Sequence, residues 1–323
     1  MKHRVFISRR IPDKALEMIK PDCDIDMWAE ATVPPPIVER IVGVDGLLTY
    51  GHELVTGPMM DTAPNLKVIS VMGVGYDHVD VAAATERGIA VGHTPGTLDE
   101  TVADFTFALL LAAARNVLKG DKYTRSGAWK VYDPNILWGA EIHGATLGIV
   151  GMGRIGRAVA RRAKGFDMKV LYHNRHRAEQ WEQELGVQYA AFETLLSQAD
   201  FVIILTPLSE KTEGLIGKKE LSLMKNTAIL INTARGPIVD SQALVEALQN
   251  GVIAGAGLDV FDPEPPPADD PLLTLDNVVL TPHLGSATVK TRTRMGVMSA
   301  ENLLAGLRGE ALPNWVNPGI GKK

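Results

Sequence analysis

One histidine of this chain has the setting of an acid–base catalyst. His283 lies in residues 281–286 (TPHLGS), directly after an apolar run typical of a β-strand. An imidazole exchanges protons near neutral pH more readily than other side chains, and could serve a substrate oxygen. A histidine after a strand has a second interpretation, as a hydrogen-bonded structural residue. The rest of the sequence has to distinguish the two.

Two other residues could assist His283. Arg235, in residues 232–237 (NTARGP), carries a planar guanidinium that can bind a carboxylate through two hydrogen bonds. Glu264, in residues 262–267 (DPEPPP), could accept a hydrogen bond from one ring nitrogen and favour the charged imidazole. Together the three residues predict proton transfer on a substrate that carries a carboxylate.

Residues 147–164 have the pattern of a phosphate-binding loop between a strand and a helix. An apolar run is followed at once by GMGRIG and then by a helical pattern. In such loops the first glycine permits a tight turn, the second lets a pyrophosphate approach the backbone, and the third lets helix and strand pack closely. Amides at the helix start then bind phosphate. The pattern predicts a dinucleotide site formed by Gly151, Gly153, Arg154, Ile155 and Gly156.

The end of the next predicted strand bears on the choice between NAD and NADP. NAD-specific sites carry an acidic residue roughly 20 positions after the first glycine. Here the strand ends in Asn174, Arg175, His176 and Arg177, without a carboxylate. Arg175 and Arg177 could pair with a 2'-phosphate, with Asn174 beside them, and a solvated basic turn is the alternative. We therefore expect NADP(H) to be preferred and NAD(H) to be usable.

Composition limits the class of protein. The 323 residues suffice for two domains, and 46% hydrophobic and 22% charged residues are typical of a globular chain. The net charge of -5 gives no attraction to nucleic acid or anionic membranes. Cys23 is the only cysteine, which excludes an intrachain disulfide and a cysteine-rich zinc site. The longest apolar stretch, residues 105–114, is too short for a membrane span. We expect a cytoplasmic enzyme that acts on a small molecule without a metal.

Apolar runs alternate with helical patterns along the chain, and this alternation predicts parallel sheets with helices on both faces. Patterns at 98–118 and 287–307 predict two long helices, the first crossing between domains and the second returning to the first domain. The predicted fold is α/β, with two doubly wound parallel-sheet domains and a cleft between them. The first domain comprises residues 1–99 and 287–323, and the second comprises residues 100–286.

Together these segments resemble the D-isomer-specific 2-hydroxyacid dehydrogenase family over essentially the whole chain. The motifs that match are GVGYDHVD at 73–80, TVAD at 101–104, the GMGRIG loop, NTARG at 232–236, GLDVF at 257–261 with Glu264, and PH at 282–283. Within the family the chain is similar to bacterial glyoxylate/hydroxypyruvate reductases, which also reduce 2-ketogluconate-type acids. The resemblance implies a flavodoxin-like substrate domain and a Rossmann NAD(P)-binding domain in a homodimer.

The resemblance also implies residue roles. Arg235 would bind the carboxylate and ketone oxygen of a 2-oxoacid, and His283, held by Glu264, would donate a proton as hydride reaches C2. Backbone amides of Val74 and Gly75 would hold the other side of the carboxylate. Oxidation would need neutral His283, so the two directions should depend on pH in opposite ways. Further cofactor contacts would come from Thr101, Thr206, Pro207, Thr212, Thr233, Ala234, Asp259 and Gly285.

Several alternatives stay open. Arg292 and Tyr50 could reach a polar substrate tail or have only structural roles, and Trp138 could enter a partner's active site or pack locally. The activity could be that of another family member, on 3-phosphoglycerate, D-lactate, formate or phosphite. A dinucleotide-sensing corepressor of the same fold is a non-enzymatic alternative. The complete set of Arg235, Glu264 and His283 favours an enzyme.

Overall fold

The structure is a computed structural model that describes residues 2–30 and 32–320. Its strands, in chain order, are β1 (His3–Ile7), β2 (Cys23–Met27), β3 (Gly46–Thr49), β4 (Val68–Val71), β5 (Ala90–Gly92), β6 (Thr146–Val150), β7 (Lys169–His173), β8 (Gln188–Tyr189), β9 (Phe201–Ile204), β10 (Ile229–Asn232), β11 (Gly255–Leu258) and β12 (Val278–Leu280).

The helices alternate with these strands. They are α1 (Asp13–Ile19), α2 (Ile37–Arg40), α3 (Gly57–Asp61), α4 (Val81–Glu86), α5 (Asp99–Ala114), α6 (Val117–Arg125), α7 (Arg154–Ala163), α8 (Glu179–Leu185), α9 (Phe192–Gln198), α10 (Lys218–Leu223), α11 (Ser241–Gln249) and α12 (Val289–Leu307). Short 3-10 helices occupy Lys164–Phe166, Gly236–Ile238 and Pro271–Thr274.

The strands form two parallel sheets, which confirms the predicted α/β fold class. The first has the order β2-β1-β3-β4-β5 and the second the order β12-β11-β10-β9-β6-β7-β8. The chain reverses its direction of sheet growth between β1 and β3 in the first sheet, and between β6 and β9 in the second. Sheets of this kind bind ligands outside the carboxyl ends of their strands, at the reversal.

The chain divides into two compact units. The first consists of Met1–Leu98 and Ala287–Lys323, and the second of Asp99–Ser286. In the first unit the last helix, α12, packs against α1, β3 and β4. Thr288 caps the start of α12, because its side chain accepts a hydrogen bond from the Thr291 amide.

Helices cover both faces of the second sheet, which is why its central strands are continuous apolar runs. Every residue of β9, β10 and β11 is buried. One core cluster lies among β9, β10, α9, α10 and α11, and includes Leu195, Leu221 and Leu244. The other lies among β6, β7, α5 and α7, and includes Phe107, Val159 and Tyr172. This two-sided core makes the sheet a rigid support for the loops that leave its carboxyl edge.

The helix predicted at 98–118 is interrupted, so the prediction of one continuous helix was wrong. α5 ends at Ala114, and Asn116 takes a left-handed backbone conformation (φ 53°) that turns the chain into α6. Apolar periodicity continues across this turn, so the pattern hides the break. Among the described residues no single helix is long and apolar enough to cross a membrane, although α5 and α6, bent by 61°, pass that test together by length and composition.

Candidate active site

The predicted site residues of the second unit lie on loops that follow the carboxyl ends of its strands. The GMGRIG loop (residues 151–156) follows β6, the basic turn (residues 174–178) follows β7, and residues 206–207 follow β9. The carboxyl ends of parallel strands meet at one edge of a sheet, so these loops lie at the same edge as the loops after β10, β11 and β12. The remaining residues are Thr233, Ala234 and Arg235 after β10, Asp259 and Glu264 after β11, and His283 after β12.

His283 and Glu264 form a direct hydrogen bond. Nδ1 of His283 lies 2.8 Å from Oε1 of Glu264, and both side chains are largely shielded from solvent. An ionised carboxylate only accepts hydrogen bonds, so Nδ1 carries the proton of this bond, and Nε2 is the ring nitrogen that does not bond Glu264. The second oxygen of Glu264 accepts the Phe261 amide at 3.2 Å, which orients the carboxylate. This arrangement can stabilise a charged imidazole and fix its tautomer.

The backbone of His283 is left-handed, with φ 53°, an uncommon conformation for a residue other than glycine. Asp259 holds it there. The His283 amide donates to the Asp259 carbonyl at 3.0 Å, and the Asp259 carboxylate accepts the amides of Leu284 and Gly285 and the hydroxyl of Thr281. Asp259 is 1% exposed, and burial raises the pKa of its carboxyl against the lowering effect of these donors. The turn that carries the imidazole is therefore built around one buried carboxyl group.

Arg235 lies on the loop after β10, which is shaped by the buried side chain of Asn232. The Asn232 amide group donates to the Arg235 carbonyl at 2.9 Å, and its oxygen accepts the Ala234 amide at 3.0 Å. Nη1 of Arg235 donates to the Ala234 carbonyl at 2.8 Å. Gly236 is required next, because a Cβ there would lie 1.8 Å from the Phe261 carbonyl oxygen. These backbone contacts place the partly buried guanidinium of Arg235 at the sheet edge.

The GMGRIG loop fits a bound dinucleotide. Gly151 has φ 107° and Gly156 packs so closely that a Cβ would lie 2.4 Å from the Gly151 carbonyl oxygen. A Cβ on Gly153, by contrast, would meet no atom of the protein within 4 Å. That space lies at the start of α7, where the amides of Arg154 and Ile155 begin a helix and can bind phosphate. Two glycines serve the fold here, and the third leaves room for a ligand.

The two arginines of the basic turn have different surroundings. Nε and Nη2 of Arg177 both donate to the Glu182 carboxylate at 2.8 Å, so this guanidinium is already paired. Arg175 is exposed, and no carboxylate partner is found for it in the described part of the chain. Asn174 accepts the Met152 amide at 2.7 Å and fastens the turn to the GMGRIG loop. Contact with a 2'-phosphate stays a prediction for both arginines, and Arg175 is the one without a described ion pair.

Other predicted cofactor residues use their polar groups within the second unit. The Thr212 hydroxyl donates to the Pro207 carbonyl at 2.7 Å and accepts the Ser209 amide, which shapes the loop after Thr206. The hydroxyls of Thr233 and Thr106 lie 2.9 Å apart. Thr101 is half-buried in the first turn of α5, and the Gly285 amide is held by Asp259 as described. These contacts shape the loops, and contact with a cofactor stays a prediction for each.

The predicted residues of the first unit lie on its own loops. Val74 and Gly75 follow β4, and the Val74 carbonyl is bonded to Nδ1 of His93 at 2.9 Å. Tyr50 follows β3, and its hydroxyl donates to the Arg10 carbonyl at 3.1 Å. Burial raises the pKa of Tyr50 to about 12. Arg292 lies in the first turn of α12.

Three residues that hold the loops of the site went unnoticed in the sequence. Asn232 shapes the Arg235 loop, Thr281 binds Asp259, and Tyr172 supports the basic turn through Glu182. Asn232 stands inside the NTARG motif, and a short polar residue at the end of a buried strand could have identified it. Nothing in the sequence near Thr281 or Tyr172 points to partners that lie across a turn or on the next helix.

Comparison with known proteins identifies relatives over the whole chain. Residues 107–285 match the NAD binding domain of D-isomer specific 2-hydroxyacid dehydrogenases. A glyoxylate reductase from Korarchaeum cryptofilum is 51% identical over 325 residues, covering 100% of this chain and 98% of that protein. The crystal structure of TT0316 protein from Thermus thermophilus superposes with TM-score 0.90 at 47% identity, covering 97% of this chain and 100% of that one. An NADPH-dependent glyoxylate/hydroxypyruvate reductase from Sinorhizobium meliloti, solved with NADP and malonate, superposes with TM-score 0.85 at 35% identity, covering 98% and 97%.

Proposed function

The chain belongs to the D-isomer specific 2-hydroxyacid dehydrogenase family, and we propose that within it this enzyme reduces small 2-oxoacids to D-2-hydroxyacids. The proposed substrates are glyoxylate and hydroxypyruvate, with 2-ketogluconate as a larger candidate, and the proposed preferred hydride donor is NADPH. The observation that carries the proposal is the hydrogen bond between Glu264 and His283, at the same sheet edge as the GMGRIG loop.

His283 acts as the proton donor in this proposal. With Nδ1 bonded to Glu264, Nε2 of the imidazolium donates to the substrate's ketone oxygen as that oxygen becomes an alkoxide. The bound nicotinamide supplies the hydride. Glu264 stabilises the charged ring before the transfer and keeps it oriented after the proton has left. In the oxidative direction neutral His283 accepts the hydroxyl proton, so reduction is favoured at lower pH and oxidation at higher pH.

Arg235 binds the substrate in this proposal. Its planar guanidinium holds the carboxylate through two hydrogen bonds and polarises the ketone, which a lysine ammonium does less well. The family resemblance alone gives Val74 and Gly75 the role of offering backbone amides to a substrate carboxylate. Glyoxylate and hydroxypyruvate are small enough to be held mainly through this group, which all 2-oxoacids share.

The cofactor preference rests on the basic turn. A 2'-phosphate needs a cation, and Arg175 offers an exposed guanidinium at the end of β7 where NAD-specific sites place an acidic residue. The similar Sinorhizobium meliloti reductase is NADPH-dependent and was solved with NADP. The pyrophosphate would bind at Gly153 and at the amides that begin α7, with Thr101, Pro207, Thr233 and Asp259 on the nicotinamide side. Further cofactor contacts would come from Thr206, Thr212, Ala234 and Gly285.

We also propose a cytoplasmic homodimer. Residues 126–145, here called the arm, connect α6 to β6 and expose a run of apolar side chains. Val131, Tyr132 and Trp138 are 72%, 78% and 75% exposed. Exposed apolar groups this close together mark an interaction surface, and a second copy of the chain is the proposed partner. In this assembly Trp138 would line the partner's substrate pocket. The single cysteine, Cys23, fits a reducing compartment.

One assay tests the reaction directly. Purified protein is mixed with NADPH or NADH and with glyoxylate, hydroxypyruvate, 2-ketogluconate, pyruvate or 3-phosphohydroxypyruvate, and His283→Ala is the control. We expect glyoxylate and hydroxypyruvate to give the highest kcat/KM, NADPH to exceed NADH, and His283→Ala to lower kcat by at least about 100-fold. Oxidation of neither cofactor with any substrate would favour a dinucleotide sensor instead. A preference for pyruvate or 3-phosphohydroxypyruvate would assign another activity of the family.

A further inference from the structure

A hydrogen-bonded network behind the basic turn has no part in the proposed chemistry. Tyr172 on β7 is completely buried. Its hydroxyl accepts the Ala178 amide at 2.9 Å and donates to Oε1 of Glu182 on α8 at 2.9 Å. Glu182 in turn accepts both hydrogen bonds of the Arg177 guanidinium. One buried hydroxyl therefore joins the strand, the turn and the helix that follows it.

The basic turn is held at both ends. Its first residue, Asn174, binds the Met152 amide of the GMGRIG loop at 2.7 Å, and its last, Ala178, binds the Tyr172 hydroxyl. Between these points Arg175, His176 and Arg177 have exposed side chains, and Arg177 alone of the three is paired with a carboxylate in the described residues. Because the turn is held on either side, the backbone position from which the Arg175 side chain leaves is restrained. A loosened end at Ala178 would let this arginine sample many positions, at a cost in binding entropy.

The two arginines of the basic turn also differ in whether a carboxylate neutralises their charge. The Glu182 carboxylate neutralises Arg177, and the hydrogen bonds from Arg177 lower the pKa of Glu182, so this pair stays ionised at neutral pH. The guanidinium of Arg177 also lies 6.0 Å from the ring centroid of Tyr189, on the side of β8. The positive charge of Arg175 has no such compensation among the described residues. Two arginines two positions apart thus have different roles.

We propose that Tyr172 and Glu182 are positioning residues for cofactor selection, which hold the end of the basic turn, keep Arg177 paired and leave Arg175 to bind the 2'-phosphate of NADPH. This inference rests on the proposed preference for NADPH. It assigns that preference to a buried phenol and a carboxylate that touch neither the phosphate nor the substrate.

The first test removes the hydroxyl without changing charge. In Tyr172→Phe the Ala178 amide and Glu182 each lose a partner, and we expect the Kd for NADPH, measured by titration calorimetry without substrate, to rise about fivefold. The Kd for NADH should change less than about twofold, because NADH lacks the phosphate that Arg175 binds. Tyr189→Phe is the matched control, since its ring lies 5.6 Å from that of Tyr172 and carries the same hydroxyl. It should leave both constants unchanged.

The second test changes charge on one helix. Glu182→Gln and Glu184→Gln each remove one negative charge from α8, but the Glu184 side chain is exposed and forms no described contact. We expect Glu182→Gln to lower the ratio of NADPH to NADH affinity by about fivefold or more, and Glu184→Gln to leave it unchanged. A rise of the ratio in Glu182→Gln would mean that released Arg177 binds the phosphate itself, and would overturn the inference. If Tyr172→Phe does not fold, the comparison of Glu182→Gln with Glu184→Gln tests the inference alone.

Cofactor affinities of the unmodified enzyme distinguish the proposed NADPH preference from the proposed role of Tyr172 and Glu182. Equal Kd values for NADPH and NADH would overturn the proposed cofactor preference, and the inference with it. A clear NADPH preference that Tyr172→Phe and Glu182→Gln both retain would overturn the inference alone. A preference that is lost in Arg175→Gln, and reduced in the two positioning variants, would support both.

Discussion

The imidazole of His283 depends on backbone contacts as much as on its partner. Its left-handed conformation costs of order 1–3 kcal/mol, which surrounding contacts must offset. They come from Asp259, whose carbonyl and carboxylate together bind three successive amides of the turn. Asp259 was predicted as a cofactor residue from the resemblance. Its geometry adds a second role, since the position of Nε2 depends on this buried carboxyl group.

Arg235 provides the sharpest prediction for a single residue. Replacing it with alanine removes charge-assisted hydrogen bonds worth roughly 2 kcal/mol, so kcat/KM for glyoxylate should fall at least ~30-fold. Arg235→Lys keeps the charge but loses the planar pair of donors, and we expect an intermediate loss. Steady-state kinetics with saturating NADPH measure both. A fall of less than about fivefold in the alanine variant, with its melting temperature unchanged, would make Arg235 a structural residue.

Among the elements, the GMGRIG loop contains one glycine that cofactor binding requires and another that the fold requires. Gly153→Ala places a methyl group where no protein atom lies within 4 Å, so stability should be unchanged while the Kd for NADPH rises about tenfold or more. Gly156→Ala instead brings Cβ to 2.4 Å from the Gly151 carbonyl oxygen and should destabilise the fold by about 1–3 kcal/mol. Thermal unfolding and NADPH titration of both variants test this. Equal loss of stability in the two would contradict the separation.

A cluster of charges joins α5 to α7. Arg162 bonds Asp104 at 2.7 Å and the Glu100 carboxylate at 2.9 Å, and Arg161 also pairs with Glu100. The arginines lower the pKa of Glu100, so the folded value lies below the unfolded one. Their stabilising effect is therefore complete above the unfolded pKa, near 4.3, and is lost as pH falls through the folded value.

Arg162→Met tests that dependence on pH. Because Glu100 is largely exposed and solvent screens the pair, we expect the variant to lose about 1 kcal/mol at pH 7. The difference should shrink as pH is lowered below about 4. Urea unfolding at several pH values measures it, with Arg125→Met, which breaks one exposed pair with Asp121, as the control. A difference that stays constant with pH would mean that Arg162 acts through packing alone.

At the scale of the whole molecule, the arm is the feature that a single chain leaves exposed. Its base is fixed, since the Ala140 amide donates to the Ala114 carbonyl at 2.8 Å and the Asn116 side chain donates to the Trp138 carbonyl at 3.0 Å. Val131 and Tyr132 lie beyond these anchors and contribute apolar surface that costs free energy in water. An apolar segment that is exposed and yet anchored at its base supports the proposed second copy of the chain as its partner.

The arm predicts the oligomeric state. Light scattering on the unmodified protein should give the mass of two chains, and the double change Val131→Asp with Tyr132→Asp should give that of one. Val289→Asp is the control, because Val289 is 88% exposed and isolated at the start of α12. If the dimer places Trp138 at the partner's pocket, the monomeric variant should also show a raised KM for glyoxylate. A dimer that survives the double change would exclude the arm as the interface.

The sequence by itself determined the local features of this protein. Alternating apolar runs predicted two parallel sheets, the spacing of Gly151, Gly153 and Gly156 predicted a dinucleotide loop, and the strand ends predicted where site residues gather. These features depend on neighbours within a few residues, so a single sequence contains them. The same local information failed at Asn116, because a left-handed residue can interrupt a helix without interrupting its apolar periodicity.

Only the tertiary structure decided which groups are partnered. It pairs Arg177 with Glu182 and thereby distinguishes it from Arg175, which the sequence treats as equivalent. It brings Asp259 to amides more than 20 residues away, and Glu264 to within 2.8 Å of His283. Such pairings depend on how helices and loops return to the sheet edge, and chain spacing does not encode those distances. The hydrogen bond between His283 and Glu264 was predicted, and its distance and its ring nitrogen come from the fold.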